Sequence, residues 1–155
     1  MFWEEGGGQP FNPKITITRP IEASLPAFLR HFEDLLEHYG ALHCINLLGS
    51  KEGEAALTLA YEAHLRTAAD ADDNIAGAVG MTAFDFHQHA KVGGIESVKH
   101  HLARAVGEVS EGFGACVVGV DEQGRPTPIL SQRGVFRTNC KGASLPSLTR
   151  RLLRR

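Results

Sequence analysis

The stretch SLPAFLRHFEDLLEHYGALHCINLL, residues 24–48, decides the fold class of this chain. Its first part repeats apolar residues at three- and four-residue spacing, which predicts an amphipathic helix capped by Ser24 and ended by Gly40. Residues 42–48 then form a mostly apolar run of strand length, and after a turn at 49–54 a second helix is expected through about Arg66. A helix, a strand and a helix in succession favour a layered α/β arrangement.

Helices and strands continue to alternate on both sides of this stretch. Glycine and proline at residues 5–13 predict an exposed loop, followed by a short strand at 15–18. Residues 67–80 have no sustained period and are expected to form a mobile connection. The remaining predicted elements are a strand at 81–86, a helix at 95–111, a β-rich run at 113–120 and a strand at 134–137. The sequence therefore predicts an α/β fold with a mixed sheet flanked by helices.

The composition fits one globular domain. The chain has 155 residues, of which 43% are hydrophobic and 22% charged, which is typical of a domain with a single core. No run approaches the roughly 18 to 20 apolar residues that a transmembrane helix needs. The first five residues carry neither a basic region nor a long apolar run for secretion, so a cytoplasmic location is expected.

The charge is distributed unevenly along the chain. Residues 141–155 hold five bases and no acid, so residues 1–140 hold the other 11 bases and all 18 acids. The five bases are Lys141, Arg150, Arg151, Arg154 and Arg155. Such a segment is expected to be a solvated basic tail with a short closing helix, and contact with nucleic acid or anionic lipid is the alternative.

Three cysteines are too few and too scattered for a disulfide framework or a zinc site. Cys44 and Cys116 lie inside apolar runs and are expected to be core residues. Cys140 instead follows a strand and precedes a helix that Ser144 would open. A thiol at such a turn faces backbone N–H groups and the positive end of a helix dipole, which favour a thiolate and a phosphate. A buried, inert cysteine at a strand end is the alternative.

Two other patterns carry weaker signals. Residues 49–53 lie between a strand and a helix but lack the Gly-Lys-Ser/Thr order of a nucleotide-binding loop, so we interpret them as a turn. The acids Glu52 and Glu54 favour the N-terminus of the following helix. His87 and His89 could share a metal ion, but no third ligand occurs at a recognisable spacing, and no metal site is predicted.

Five blocks of sequence occur in an order that resembles a known family. The blocks are FWE (2–4), PAF with HF and YG (26–40), INLLGSKEGE (45–54), FDFHQ (84–88) and Gln132 with GVFRTNC (134–140). Together they closely resemble the Sac phosphoinositide phosphatase domain, of synaptojanin type, across nearly all of residues 2–140. The resemblance implies a cysteine-dependent hydrolase that removes phosphate from the inositol ring of membrane phosphoinositides, with a C-x5-R-[T/S] loop and no metal or other cofactor.

The resemblance also implies roles for particular residues. Cys140 matches the nucleophile, and Arg137, Thr138 and Asn139 flank the phosphate loop. The family motifs also contain the positions of Lys51, Glu52, Asp85 and His87, to which no role is assigned.

The sequence departs from the family after the nucleophile. The family has an arginine six positions further on, where this chain has Pro146, and no Asp or Glu follows Cys140. The subdomain that precedes the FWE block in the family is missing as well. We therefore interpret residues 1–140 as an incomplete Sac-type catalytic subdomain followed by an unrelated basic tail. Negligible turnover and marginal stability are expected.

Three functions stay open at this point. The first is a phosphoinositide phosphatase whose sequence is truncated at the phosphate loop. The second is a catalytically dead relative that binds phosphoinositide headgroups at a membrane surface, with Lys141 and the terminal arginines supplying charge. The third is an unrelated soluble α/β interaction domain. The first two predict a cytoplasmic protein that is peripheral at membranes and does not bind nucleic acid.

Overall fold

The computed structural model describes residues 1–6, 14–50 and 52–141 of the chain, without the side chain of Glu52. The helices are α1 (Ile21–Tyr39), α2 (Glu52–Ala71), α3 (Asp73–Ala78) and α4 (Phe86–Phe113). The strands are β1 (Trp3–Gly6), β2 (Lys14–Ile17), β3 (Leu42–Asn46), β4 (Val79–Ala83), β5 (Val117–Val120), β6 (Pro126–Leu130) and β7 (Val135–Asn139). Helices flank a parallel sheet, so the predicted α/β fold is confirmed.

The central sheet has three strands in the order β4-β3-β7. Both neighbours run parallel to β3, and Asn46 at its end is level with Ala83 of β4 and with Asn139 of β7. This sheet is wholly parallel rather than mixed, because the antiparallel pairs β1-β2 and β5-β6 form two separate ribbons. The carboxyl ends of all three central strands therefore lie at one edge.

Two cores lie on opposite faces of the sheet, because successive side chains of a strand point to opposite sides. Under α1, α2 and α3 the buried cluster is Phe28, Phe32, Leu42, Cys44, Tyr61, Ala68 and Ile75. The buried cluster that includes α4 residues is Ile45, Phe84, Val98 and Leu102. All five residues of β3 are buried, as a central strand between two layers requires.

The first helix begins earlier than predicted. It starts at Ile21 with Pro20 at the N-cap position, so the prediction that Ser24 caps it is wrong. Ser24 is instead buried inside the helix, and its hydroxyl lies 2.6 Å from Nε2 of His64 on α2. The predicted stop is confirmed: Gly40 has a φ of 77°, and its N–H donates to the carbonyl of Leu36.

The prediction of a mobile connection at residues 67–80 is wrong. The second helix runs past Arg66 to Ala71, and Asp72 caps the short helix α3 by accepting a hydrogen bond from the Asn74 N–H at 2.8 Å. Ala68 and Ile75 are buried in the core, with exposed fractions of 0% and 1%. Tertiary packing thus orders a segment that has no period of its own.

Several predicted boundaries also change. Helix α4 starts at Phe86, well before residue 95, because Asp85 caps it, and it is kinked at Gly93 and Gly94. The run 113–120 is divided between the end of α4 and β5, and Cys116 is exposed, so its prediction as a core residue is wrong. Strand β4 lies two to three residues before the predicted 81–86, and β1 extends into the predicted loop 5–13, whose residues 7–13 lie outside the described residues.

Strand β6, like β1, was not predicted. Strand β6 contains Pro126 and Pro128, which argue against a strand in sequence, yet a two-stranded ribbon has free edges on which proline is tolerated. The expected closing helix after Cys140 lies outside the described residues.

Candidate functional site at the carboxyl edge of the sheet

The carboxyl edge of the parallel sheet gathers most of the residues singled out in the sequence. Two backbone hydrogen bonds join the strand ends there, from Leu47 N–H to the Asn139 carbonyl at 2.9 Å and from Phe84 N–H to the Asn46 carbonyl at 2.8 Å. The segments that leave this edge are residues 47–50, residues 84–85 and residue 140. Ligands of open α/β sheets bind at this edge, so it is the candidate site.

Cys140 follows directly after β7, and its side chain is exposed. The exposed side chain does not agree with the alternative of a buried thiol at the strand end. Cys44, by contrast, has an exposed fraction of 0% and belongs to the core as predicted. The backbone amides of the expected loop and helix lie beyond Lys141 and so outside the described part of the chain.

Arg137 reaches from β7 toward the helices α1 and α2 and is half-buried. Its Nε donates to Nε2 of His31 at 3.1 Å, and its Nη1 donates to the hydroxyl of Tyr61 at 3.1 Å. Nη1 also donates to Oδ1 of Asn139. Thr138, between them, is exposed, because alternate residues of a strand face opposite sides. Arg137 and Asn139 therefore form one unit at the end of β7.

The groups around Arg137 are held in their neutral forms. Burial and then the positive charge of Arg137 lower the pKa of His31. Burial raises the pKa of the Cys44 thiol, and burial together with Cys44 raises the pKa of the Tyr61 hydroxyl. Arg137 opposes both of these increases but does not overcome them. The surroundings of the guanidinium group thus supply acceptors without negative charge.

Asp85 joins the two other segments of this edge. Its carboxylate accepts hydrogen bonds from the Gln88 N–H at 3.0 Å, the Ser50 N–H at 3.0 Å and the Ser50 hydroxyl at 2.9 Å. Burial raises the pKa of Asp85, but these hydrogen bonds outweigh it and hold the pKa below the usual range. The ionised carboxylate therefore fixes residues 47–50 to the start of α4.

Glu54 supports the same turn. Its Oε2 accepts from the Gly49 N–H at 2.6 Å, and its Oε1 lies 3.9 Å from Nε2 of His87, whose side chain is 70% exposed. This agrees with the interpretation of residues 49–53 as a turn at a helix N-terminus. Lys51 lies outside the described residues, as does the side chain of Glu52.

His87 and His89 do not converge on a shared ligand position. The ring of His89 stacks on Phe84, with 4.4 Å between ring centroids, while His87 lies against Phe86 and Glu54. In residues 1–6, 14–50 and 52–141, no group of three His, Cys, Asp or Glu side chains could hold a metal ion. None of the described helices is long and apolar enough to cross a membrane.

Three residues of the site were missed from sequence. No site role was predicted for His31 or Tyr61, because their approach to Arg137 spans 106 and 76 positions of sequence. Asn46 could have been recognised from sequence as a candidate site residue, because it is a polar residue within the apolar run 42–48. It is buried, and its Nδ2 donates to the Thr58 hydroxyl at 2.9 Å.

Comparison with known proteins gives consistent matches. A family model described as the SacI homology domain matches residues 1–91. Over 140 residues, or 90% of this chain, 36% of residues are identical in inositol-1,4,5-trisphosphate 5-phosphatase 1 of Schizosaccharomyces pombe and in synaptojanin-1 of Mus musculus. Polyphosphatidylinositol phosphatase INP53 of Saccharomyces cerevisiae is 33% identical over 141 residues, also 90% of the chain. The chain spans 12%, 8% and 12% of the lengths of these relatives, respectively. No solved structure shows a significant match.

Proposed function

This chain belongs to the SacI homology domain family, and on that premise we propose that its carboxyl edge is a site for removing phosphate from the inositol ring of phosphoinositides. One observation carries the proposal. Cys140 is exposed directly after a parallel strand, at the edge where the strand ends meet, and it follows Asn139, whose side chain accepts a hydrogen bond from Arg137. The names of the matched relatives, two phosphatases of inositol compounds and a synaptojanin, support the substrate class.

The proposed chemistry is an in-line displacement at phosphorus. The Cys140 thiolate forms a bond to the phosphorus of a ring phosphate while the bond from phosphorus to the inositol oxygen breaks. The inositol oxygen takes up a proton from water as it leaves. A water molecule then attacks the phosphorus, the bond from sulfur to phosphorus breaks, and inorganic phosphate and the Cys140 thiolate are released. Negative charge accumulates on three phosphate oxygens in the transition state, so a cationic donor is needed beside them.

We propose further that this chain itself turns over very slowly. Position 146 is proline where the family loop places its arginine, and residues 141–155 contain no Asp or Glu that could protonate the leaving oxygen. Loss of one such donor costs about 100- to 1000-fold in rate, or about 3–4 kcal/mol. Incubation with mono- and diphosphorylated inositol lipids should release no more phosphate than a Cys140→Ser control. Release well above that control would overturn the proposed inactivity.

Binding can be tested apart from turnover. Iodoacetamide should alkylate both exposed thiols, Cys140 and Cys116, and mass spectrometry separates the two sites. We expect soluble inositol trisphosphate to slow alkylation of Cys140 at least threefold while leaving Cys116 unchanged. Cys44 is buried and reports unfolding. Equal rates at Cys140 with and without the ligand would contradict the proposed site.

A second function, binding to anionic membranes without catalysis, is favoured by the five bases and absent acids of residues 141–155. On this proposal the protein is cytoplasmic and peripheral at membranes. It should sediment with vesicles that contain phosphatidylinositol phosphates, and binding should fall steeply as salt rises. Neutralising the five bases should abolish it. Binding that is insensitive to both changes would exclude this function.

A further inference from the structure

Arg137 is a half-buried cation whose partners are all neutral. Nε donates to His31, and Nη1 donates to Tyr61 and Asn139. The guanidinium carbon also lies 5.6 Å from the ring centroid of Tyr61 and 6.0 Å from that of Phe32. Among the described residues no carboxylate lies within ion-pair distance of it. Burying a charge without a counter-ion is unfavourable, so hydrogen bonds must fix this arginine in place.

The direction of each hydrogen bond in this network is determined. Arginine can only donate, so Nε2 of His31 accepts and the proton of that ring is on Nδ1. The Tyr61 hydroxyl accepts from Arg137 and donates its own proton to Sγ of Cys44 at 3.2 Å. Arg137 is thereby anchored to both helices and, through Tyr61, to the central strand β3.

The same guanidinium orients the amide of Asn139. Because Oδ1 of Asn139 accepts from Arg137, its Nδ2 must point the other way, where it is buried and has no hydrogen-bond partner among the described residues. The backbone carbonyl of Asn139 accepts from the Leu47 N–H. Both the side chain and the main chain of the residue before Cys140 are therefore held.

We propose that Arg137 is a positioning residue for Cys140. Through Asn139 it fixes the peptide that leads from β7 into the nucleophile, and Tyr61 and His31 hold the guanidinium there without neutralising its charge. The assignment of Cys140 as nucleophile rests on the proposed function, whereas the positioning contact is a property of the fold and can be tested separately.

Two backbone amides offer a matched test by hydrogen exchange. Leu47 N–H bonds to Asn139 at the β7 side of the edge, and Phe84 N–H bonds to Asn46 at the β4 side. Tyr61→Phe keeps the ring but removes the anchor of Arg137. We expect hydrogen exchange at the Leu47 amide to become about five- to tenfold faster, which corresponds to the net contribution of one hydrogen bond. Exchange at the Phe84 amide should change less than about twofold. Equal acceleration at both amides, or none at Leu47, would overturn the proposal.

Variants of β7 itself separate positioning from a general loss of stability. Asn139→Asp retains an acceptor for Arg137, so exchange at the Leu47 amide should stay slow. Asn139→Leu has no acceptor, so exchange at the Leu47 amide should become faster. Thr138→Ala, on the exposed side of the same strand, is the matched control and should change neither amide. Fast exchange at Leu47 in Asn139→Asp but not in Asn139→Leu would contradict the role of Arg137.

The link to the nucleophile is tested by alkylation. In Tyr61→Phe, inositol trisphosphate should no longer protect Cys140 from iodoacetamide, while Cys116 reacts as before. Full protection of Cys140 in this variant would overturn the positioning role. If the unaltered chain shows no protection but the exchange pattern holds, the phosphatase assignment fails and the positioning of residue 140 is supported.

Discussion

Replacing Asp85 with alanine should lower the free energy of unfolding by about 2–3 kcal/mol. Its carboxylate caps α4 through the Gln88 N–H, and loss of such a cap costs about 1 kcal/mol. It also accepts two hydrogen bonds from Ser50, 35 positions earlier in the chain. Hydrogen bonds to charged groups contribute about 1.5–3 kcal/mol each, and because the two Ser50 bonds are exposed we assign them only about 0.5–1 kcal/mol each.

The measurement is urea denaturation followed by circular dichroism at pH 7. Asp85→Asn retains an acceptor oxygen and should lose about half as much stability as Asp85→Ala. Asp121→Ala is the matched control, because Asp121 also accepts from two N–H groups and an arginine, but only from residues two and four positions away. That turn lies in the β5-β6 ribbon, so its loss should cost less than about 1 kcal/mol.

Asp85→Ala should lose clearly more unfolding free energy than Asp121→Ala. If Asp85→Ala and Asp121→Ala change stability equally, the bonds between Asp85 and Ser50 do not hold the carboxyl edge together. A loss below about 0.5 kcal/mol for Asp85→Ala would likewise refute the assigned role.

Three further predictions concern the core, the pH dependence and the kink in α4. Phe32 is 0% exposed, so Phe32→Ala should lower the unfolding free energy by about 3–5 kcal/mol, whereas Leu59→Ala, at 63% exposed, should change it by less than about 0.5 kcal/mol; equal losses would contradict the assigned core. Burial lowers the pKa of His43, and burial with Arg137 lowers that of His31, so below pH 6.5 the unfolded state takes up protons first. The free energy of unfolding should therefore be highest above pH 6.5 and should fall as the pH is lowered to 5. It should fall less in His43→Gln, and urea midpoints that are independent of pH would exclude this effect. Gly94 has a φ of 65°, so Gly94→Ala should cost about 1 kcal/mol in the same assay, whereas Gly107→Ala should be neutral or stabilising.

The sequence predicted those parts of the fold in which local pattern and tertiary packing agree. Helix α1 packs on the core through Phe28 and Phe32, and all five residues of β3 are buried, so the sequence period and the observed burial agree for both elements. Residues 67–80 differ, because Ala68 and Ile75 are ordered by packing against the core rather than by a period. Strand β6 was not predicted because it contains two prolines, which a sheet tolerates only at an edge position.

The candidate site was predictable where it depended on neighbours in sequence. Cys140 after a strand is such a local signal, and it lies at the carboxyl edge. Asp85 was located only as a family-motif position, and its role as the N-cap of α4 was not predicted because the helix was expected to begin at residue 95. The anchoring of Arg137 by His31 and Tyr61 joins three distant segments, so no spacing rule could indicate it. Family motifs located the residues of this edge, but only the structure shows the hydrogen bonds that fix their positions.

The central claim is that the carboxyl edge beside Cys140 binds an inositol phosphate. Titration of the isotope-labelled chain with soluble inositol trisphosphate, followed by backbone amide chemical shifts, tests it most directly. Shift changes should concentrate in residues 47–50, 84–88 and 137–141, and should leave the β5-β6 ribbon unaffected. Changes confined to other surfaces, or none at millimolar ligand in a folded chain, would contradict the claim.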